Sequence, residues 1–344
     1  MAPDKKGMAL VLTLLAVSFL VAVTVQLSTS VNWQLQASSQ QGKTVQLDAL
    51  LLSGLNLAQA ALLADQRDNK ADTLFDTWST LKADSIANLV ANGTLDIQIT
   101  DLSGLLQINA LVLSKAEKKR RAKNKKTQGK KAQQKYEKLQ RALWERFLLF
   151  EQFVPDNEDA VAELLDPLAD WLDEDSQERD NGAEQPFYSG LSPAYVPANG
   201  PILFVEELLL IKGWNKNILY GDKQHSGIID YLTVAGEEGK ININTAPSLI
   251  LQALHPDMTE ALATSLIEFR SDENNKDKLK NVNWYKQVGG FPANIKFHAD
   301  LITVSSNAFR ITVTAKINNL QRSGTGVILR RDTQEQVLLY WKVQ

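Results

Sequence analysis

Five acidic side chains fall close together in one stretch: Asp170, Asp173, Asp175, Asp180 and Glu184. Calcium takes about six to eight oxygen ligands, often from aspartates two apart in a loop and a glutamate further on. Asp173 and Asp175 begin that pattern, and Gly182 lets the chain turn so that Glu184 returns to the same place. Gln177 stands at the third ligand position with no glycine after it, so the stretch is not an EF-hand loop. The spacing leaves two readings open. One is a calcium loop with Asp173, Asp175 and Glu184 as metal ligands, helped by backbone carbonyls. The other is a solvated acidic loop. A general acid and base pair needs carboxylates too, but nothing beyond their presence points to one.

The rest of the chain offers little else for catalysis. The chain has no cysteine, so thiolate nucleophiles, disulfides and cysteine–metal sites are excluded. His225, His255 and His298 are too scattered for a metal triad. No nucleophile elbow, P-loop or HExxH motif occurs, and no enzyme activity is expected. The formal net charge of -3 hides a basic block over residues 115–146, so the remainder is acidic. That block lacks the interleaved aromatic residues on which single-stranded bases stack, and a solvated lysine-rich arm at 115–135 is the expectation. Residues 245–269 have a helix–hairpin–helix pattern, with Thr245 as the expected N-cap. The hairpin holds Pro256, which has no N–H, and Asp257, which repels phosphate. A packing unit is the expectation. The alternative is a membrane-anchored helix–hairpin–helix protein of DNA binding or uptake.

Residues 8–27 run about twenty positions without a charge, the length that crosses a bilayer as a helix. Lys5 and Lys6 before them hold the amino end in the cytoplasm. Leu47, Leu51, Leu55, Ala58 and Leu62 then recur at helical spacing with no linker composition in between. One helix over residues 8–64, roughly 85 Å long, is expected to lie half in lipid and half on a folded domain. Gly42 and Gly54 are weak points in it. A loop at 65–72, a helix at 73–90, a turn at Asn92–Gly93 and a strand at 95–100 follow. Helices are expected over residues 136–150, from a cap at Asp156 or Asn157, and at 206–210 with a glycine end. From His298 the apolar period becomes two, giving strands at 301–304, 309–315, 326–330 and 336–341 in one antiparallel meander. Asn318–Asn319 and Arg331–Asp332 are the turns.

Two groups of residues carry a family resemblance. The short polar leader ends in Gly7 before the apolar run, which resembles a prepilin signal cut between Gly7 and Met8. Leu12 stands at the fifth position after that cut, where pilins carry glutamate. The run Asp101, Gly104, Gln107, Asn109, Leu111 resembles the D-x-x-G-x-x-N-x-N-x-L signature of the type II secretion protein K family, with Gln107 in place of the first asparagine. The later order of Trp171, Asp173, Asp175, Gly182, Ala183, Glu184, Tyr188, Pro193, Asn199 and Glu206–Leu208, with Arg330 and Arg331 near the end, is similar to the same family.

That resemblance implies an α+β, pilin-like fold. A long N-terminal transmembrane helix packs on a C-terminal antiparallel sheet, and a large α-helical domain with helix–hairpin–helix or SAM-like units is inserted. The implied divisions are a leader at 1–7, the helix at 8–64, the pilin-like part at 65–100 and 300–344, and the insertion at 101–299. It further implies a minor pseudopilin at the pseudopilus tip, acting in export of folded proteins across the outer membrane. Implied partners are I- and J-type minor pseudopilins and the prepilin peptidase. The implied place is the bacterial inner membrane, single-pass, with the N-terminus cytoplasmic and the bulk periplasmic. No specific nucleic acid is implied. The resemblance also favours Ca2+ at Asp173, Asp175 and Glu184.

Overall fold

The structure, a computed structural model, describes residues 5–81, 93–113, 129–153, 157–236, 238–331 and 335–344. Helix α1, Lys5–Asp68, is one uninterrupted element of 64 residues. It begins within the leader and continues four residues into the stretch expected to be a loop at 65–72, ending at Asp68. Residues 7–42 are exposed. From Leu47 onward one stripe of the helix, Leu47, Leu51, Leu55, Ala58 and Leu62, is buried. Gly54 is not a weak point there. A Cβ on it would lie 2.5 Å from Val313 Cγ1, so glycine lets the helix press onto a strand.

That strand belongs to a four-stranded antiparallel sheet. Its members are β1, Gly93–Asp101, and three later strands: β6, Ala308–Ile317; β7, Leu320–Arg330; and β8, Gln336–Val343. The order is β1-β6-β7-β8. Strand β1 pairs with β6 from Gly93 opposite Ile317 to Asp101 opposite Phe309. Alternate residues of β1 are buried, and Leu95, Ile97 and Ile99 join Phe309, Ile311, Val313, Ala315, Ile317 and Ile328 beneath α1. The β6–β7 hairpin turns at Asn318–Asn319, where Asn318 takes a positive φ of 53°. This is an α+β arrangement: a long amino-terminal helix on an antiparallel sheet.

Between β1 and β6 lies a mostly helical segment with its own core. It holds α2, Gly129–Leu148; α3, Glu158–Leu172; α4, Gln185–Ser189; α5, Lys216–Tyr220; α6, Ser248–Ala253; and α7, Glu260–Ser271. Two short parallel pairs tie it together. Strand β2, Leu106–Gln107, pairs with β3, Leu232–Thr233, and β4, Ile241–Asn242, pairs with β5, Ile302–Thr303. Tyr136, Leu143 and Phe147 of α2 and Val161, Leu164, Leu165, Leu168 and Trp171 of α3 are buried, as their spacing predicts; Leu139 and Phe150 are half-buried, and Trp144 is buried beside them.

Several expectations need correction. Residues 73–80 form turns rather than helix, because the Asp76 carboxylate accepts the N–H of Thr73 at 2.6 Å and the Thr73 hydroxyl that of Phe75 at 3.2 Å. Trp78 still reaches the core and packs edge-on against Phe309 at 5.3 Å. Residues 302–303 do not extend the meander, since Leu301 and Thr303 carbonyls accept from Ile241 and Ile243 instead. Residues 205–210 form a 3-10 helix, with Glu207 accepting the N–H groups of Leu203 and Phe204; Gly213 follows at φ 85°. Pro247, not Thr245, precedes α6. Asn157 caps α3, accepting from Ala160 N at 2.8 Å. Asp156, Asn92, Asp332, residues 82–90, residues 1–4 and most of the lysine-rich arm, 115–128, lie outside the described residues.

Candidate functional site

The acidic stretch is organised by α3. Asp166 and Asp170 sit one turn apart on it, Asp173 ends it, and the chain from 174 to 184 loops back over them. Asp170 is wholly buried, and its Oδ2 accepts the backbone N–H groups of Ala183 at 2.9 Å and Arg179 at 3.2 Å. Asp166 Oδ2 accepts from Asn181 N and Nδ2, at 3.3 and 3.2 Å, and its other oxygen takes Arg141 Nη1 at 2.6 Å. Lys212 Nζ holds the carbonyls of Asn181 and Gly182, at 3.2 and 2.8 Å. The loop is therefore pinned at its far end by carboxylates of its own helix. Gly182 is needed for a reason other than turning: a Cβ there would lie 1.8 Å from Asp170 Oδ2.

This folding brings Asp173, Asp175 and Glu184 together, each with one oxygen within 4.8 Å of the others. Asp180 is exposed and outside the group, and Asp170 faces Arg179 instead. Asp173 Oδ1 accepts Asp175 N at 3.3 Å, and Asp175 Oδ1 accepts Gln177 N at 3.0 Å. Glu184 is 4% exposed, yet its Oε1 has no hydrogen-bond partner among the described residues. Burial pushes the Glu184 carboxyl above its ordinary range, and the charges of Asp170, Asp173 and Asp175 push the same way. Burial also raises Asp173, opposed by its bond to Arg179. A buried carboxylate oxygen without a donor, facing two further carboxylates, suits a hard cation that binds only oxygen. The residues present fit calcium, and Asp173, Asp175 and Glu184 are the ones that would hold it.

A second polar centre joins the helical segment to the sheet. Asp101, the last residue of β1, accepts at one oxygen from Ser306 Oγ at 2.6 Å, Thr245 Oγ1 at 2.6 Å and Asn242 Nδ2 at 3.1 Å. Ser103 N donates to its other oxygen at 2.7 Å. This is why Thr245 does not cap α6. Gly104 is required beside it, because a Cβ would lie 2.7 Å from Thr245 Oγ1. Gln107 bridges Gly239 N and the Lys240 carbonyl, each at 3.0 Å. Asn109 bonds the backbone of Ile202 and Val234. Gln107 and Asn109 thus satisfy backbone groups in a buried junction, and Gln107 does so with an amide as asparagine would.

Sequence reasoning did not assign a role to Arg179 or Asp166, and it noted Arg330 without its partners. Arg330 Nη1 bonds Asp65 Oδ2 at 3.0 Å, its Nη2 bonds Asp72, and the Phe309 ring lies 4.6 Å below the guanidinium. Arg330 follows Val327, Ile328 and Leu329 at the apolar end of β7, and a charge next to that run was the available signal. The hairpin between α6 and α7 spends its N–H groups internally: Asp257 N goes to His255 Nδ1 and Met258 N to the His255 carbonyl, both at 3.1 Å. The backbone approach to phosphate that the DNA-binding alternative needs is taken up at these positions.

The described part of α1 holds an apolar window of mean hydropathy 2.7, long enough to cross a membrane. Comparison with known proteins gives one consistent result. Two family models described as type II secretion system (T2SS), protein K, match residues 104–220 and 241–300, together just over half of the chain. The type II secretion system protein K of Pseudomonas aeruginosa is 25% identical over 304 residues, covering 86% of this chain and 82% of that protein. Its counterpart in Klebsiella pneumoniae is 32% identical over 114 residues, covering 32% of this chain and 33% of that protein. Among solved structures, a chain in the crystal structure of the GspK-GspI-GspJ complex from the enterotoxigenic Escherichia coli type 2 secretion system matches with a TM-score of 0.60. It shares 17% sequence identity, over 89% of this chain and 99% of that one.

Proposed function

The chain belongs to the type II secretion system protein K family, and from that premise we propose that it caps the tip of a pseudopilus while anchored by α1. Its role in the system is that of a minor pseudopilin, a structural component rather than an enzyme. The observation that carries the anchored-pseudopilin reading is the continuity of α1. One helix is the bilayer-length apolar segment and, from Leu47 onward, the element that closes the sheet core, so the folded part sits directly on its anchor. We read the anchor as single-pass in the inner membrane, with the amino end cytoplasmic and the folded part periplasmic. Leu12 lacks the charge with which a pilin would meet the amino terminus of a subunit above it, which suits a subunit with none above.

The complex named for the solved structure contains GspI and GspJ beside GspK. We propose that I- and J-type minor pseudopilins are this chain's partners too. The divisions 65–100 with 300–344, and 101–299, are read as a pilin-like part and an insertion, whose helix–hairpin–helix is a packing unit. Asp173, Asp175 and Glu184 are read as a calcium site that stiffens the insertion. No nucleic-acid partner is part of this reading.

Processing tests it. The prepilin peptidase should cut between Gly7 and Met8. A Cβ on Gly7 would meet nothing within 4 Å, so Gly7→Ala leaves the fold alone and probes recognition only. Mass analysis of the membrane-extracted chain, with the peptidase present, should show Met8 as the first residue and Gly7→Ala should be cut poorly. An intact Met1 in the wild type contradicts the pseudopilin processing.

A further inference from the structure

We propose that Arg179 is the resident counter-cation of the acidic loop and sets how tightly that loop takes a divalent ion. The inference rests on the calcium reading of Asp173, Asp175 and Glu184. Arg179 Nη1 donates to Asp173 Oδ2 at 2.7 Å and, from the same nitrogen, to Asp170 Oδ1. Its side chain is 33% exposed, whereas those of Asp170 and Asp173 are 0% and 6% exposed. Among the described residues, no other ion pair reaches Asp173, Asp175 or Glu184.

Two consequences follow from this placement. Without metal, the guanidinium offsets part of the repulsion among the carboxylates, so the loop stays closed without calcium. With metal, Asp173 must share its oxygens between calcium, Asp175 N and the guanidinium, while a positive charge stays a few ångströms from the ion. Both lower calcium affinity. Removing the charge should therefore be felt strongly. Asp170 keeps two backbone donors, Ala183 N and Arg179 N, when the guanidinium is gone.

Calorimetric titration of calcium chloride into the detergent-solubilised full chain, wild type, Arg179→Gln and Arg179→Lys, tests this. Melting curves in calcium and in chelator accompany each. The expected result is a Kd at least about fivefold lower in Arg179→Gln. Its melting point should fall in chelator and the gap between calcium and chelator should widen. Arg179→Lys keeps the charge and should hold the wild-type Kd within about twofold. If wild type binds calcium and Arg179→Gln binds equally or more weakly, the counter-cation role is overturned and the calcium reading stands. If Arg179→Lys loses calcium, Arg179 scaffolds the loop through its forked geometry, and the role is again overturned. Should Arg179→Gln fail to fold, Arg179→Met is titrated in its place and judged by the same outcomes. No calcium heat in any variant overturns the calcium reading and this inference together.

Discussion

Arg330 on β7 and Asp72 in the segment after α1 form an ion pair across 258 residues of sequence, with side chains only 5% and 3% exposed. Asp65 shares the same guanidinium, and Asp72 Oδ2 also accepts Ser306 N at 2.7 Å. Ser306 in turn reaches Asp101. The end of α1, the end of β1, the return to β6 and β7 thus meet in one buried network. Of the three buried carboxylates Asp65, Asp72 and Asp101, the first two pair with Arg330. Burial raises all three, and Asp72 is pushed up to about 7.

A pH dependence follows. The folded value for Asp72 lies above the ordinary 3.8, so the native chain holds a proton that the unfolded chain releases. The stability tied to that proton is complete below about pH 4 and is lost as pH rises through about 7. Asp72→Asn should therefore give a shallower fall of melting temperature between these values than wild type. An unchanged slope would show that Asp72 is ionised throughout. Arg330→Met should destabilise by about 3–5 kcal/mol in denaturant titration, because it strands Asp65 and Asp72 without their cation.

Much of this was legible in the sequence. The stripe from Leu47 to Leu62 and the alternation in β1 and β6 are set by local burial periodicity, and the structure follows them. The helix expected at 73–90 fails at its start because short polar side chains, Thr73 and Asp76, bind nearby backbone. Thr245 looked like a cap, yet its hydroxyl is claimed by Asp101, distant in sequence. The spacing grouped Asp173, Asp175 and Glu184, and the structure brings their side chains together. The part played by Arg179 was not legible, because it depends on how the loop folds back over Asp170.

The proposed calcium site at Asp173, Asp175 and Glu184 predicts a metal-dependent stability. Calcium at a hundredfold excess over Kd should add about 2.7 kcal/mol to the folded state. Magnesium should substitute badly, since it demands near-octahedral geometry and keeps its waters. Asp173→Ala with Asp175→Ala should remove the calcium effect while α1 and the sheet stay folded. Equal melting temperatures in calcium and chelator for wild type would reduce the loop to a solvated one. The calcium effect should also shrink as pH falls, because Glu184 and Asp173 have raised values and protons compete with the ion.

Gly182→Ala should be costly. The added methyl drives into the Asp170 carboxylate, and overpacking of this kind costs about 1–3 kcal/mol. The denaturant midpoint should fall and calcium should bind more weakly, since Glu184 lies two residues on. A variant as stable as wild type would mean that the loop relaxes away from α3 at no cost.

The central claim, a minor pseudopilin that caps a pseudopilus with I- and J-type partners, is tested most directly by co-purification. The full chain, carrying an affinity tag at its carboxy terminus, is co-expressed with the I- and J-type subunits of the same system and extracted in detergent. One complex holding all three chains in equal amounts is expected. Recovery of the tagged chain alone, while the other two associate with each other, would contradict it.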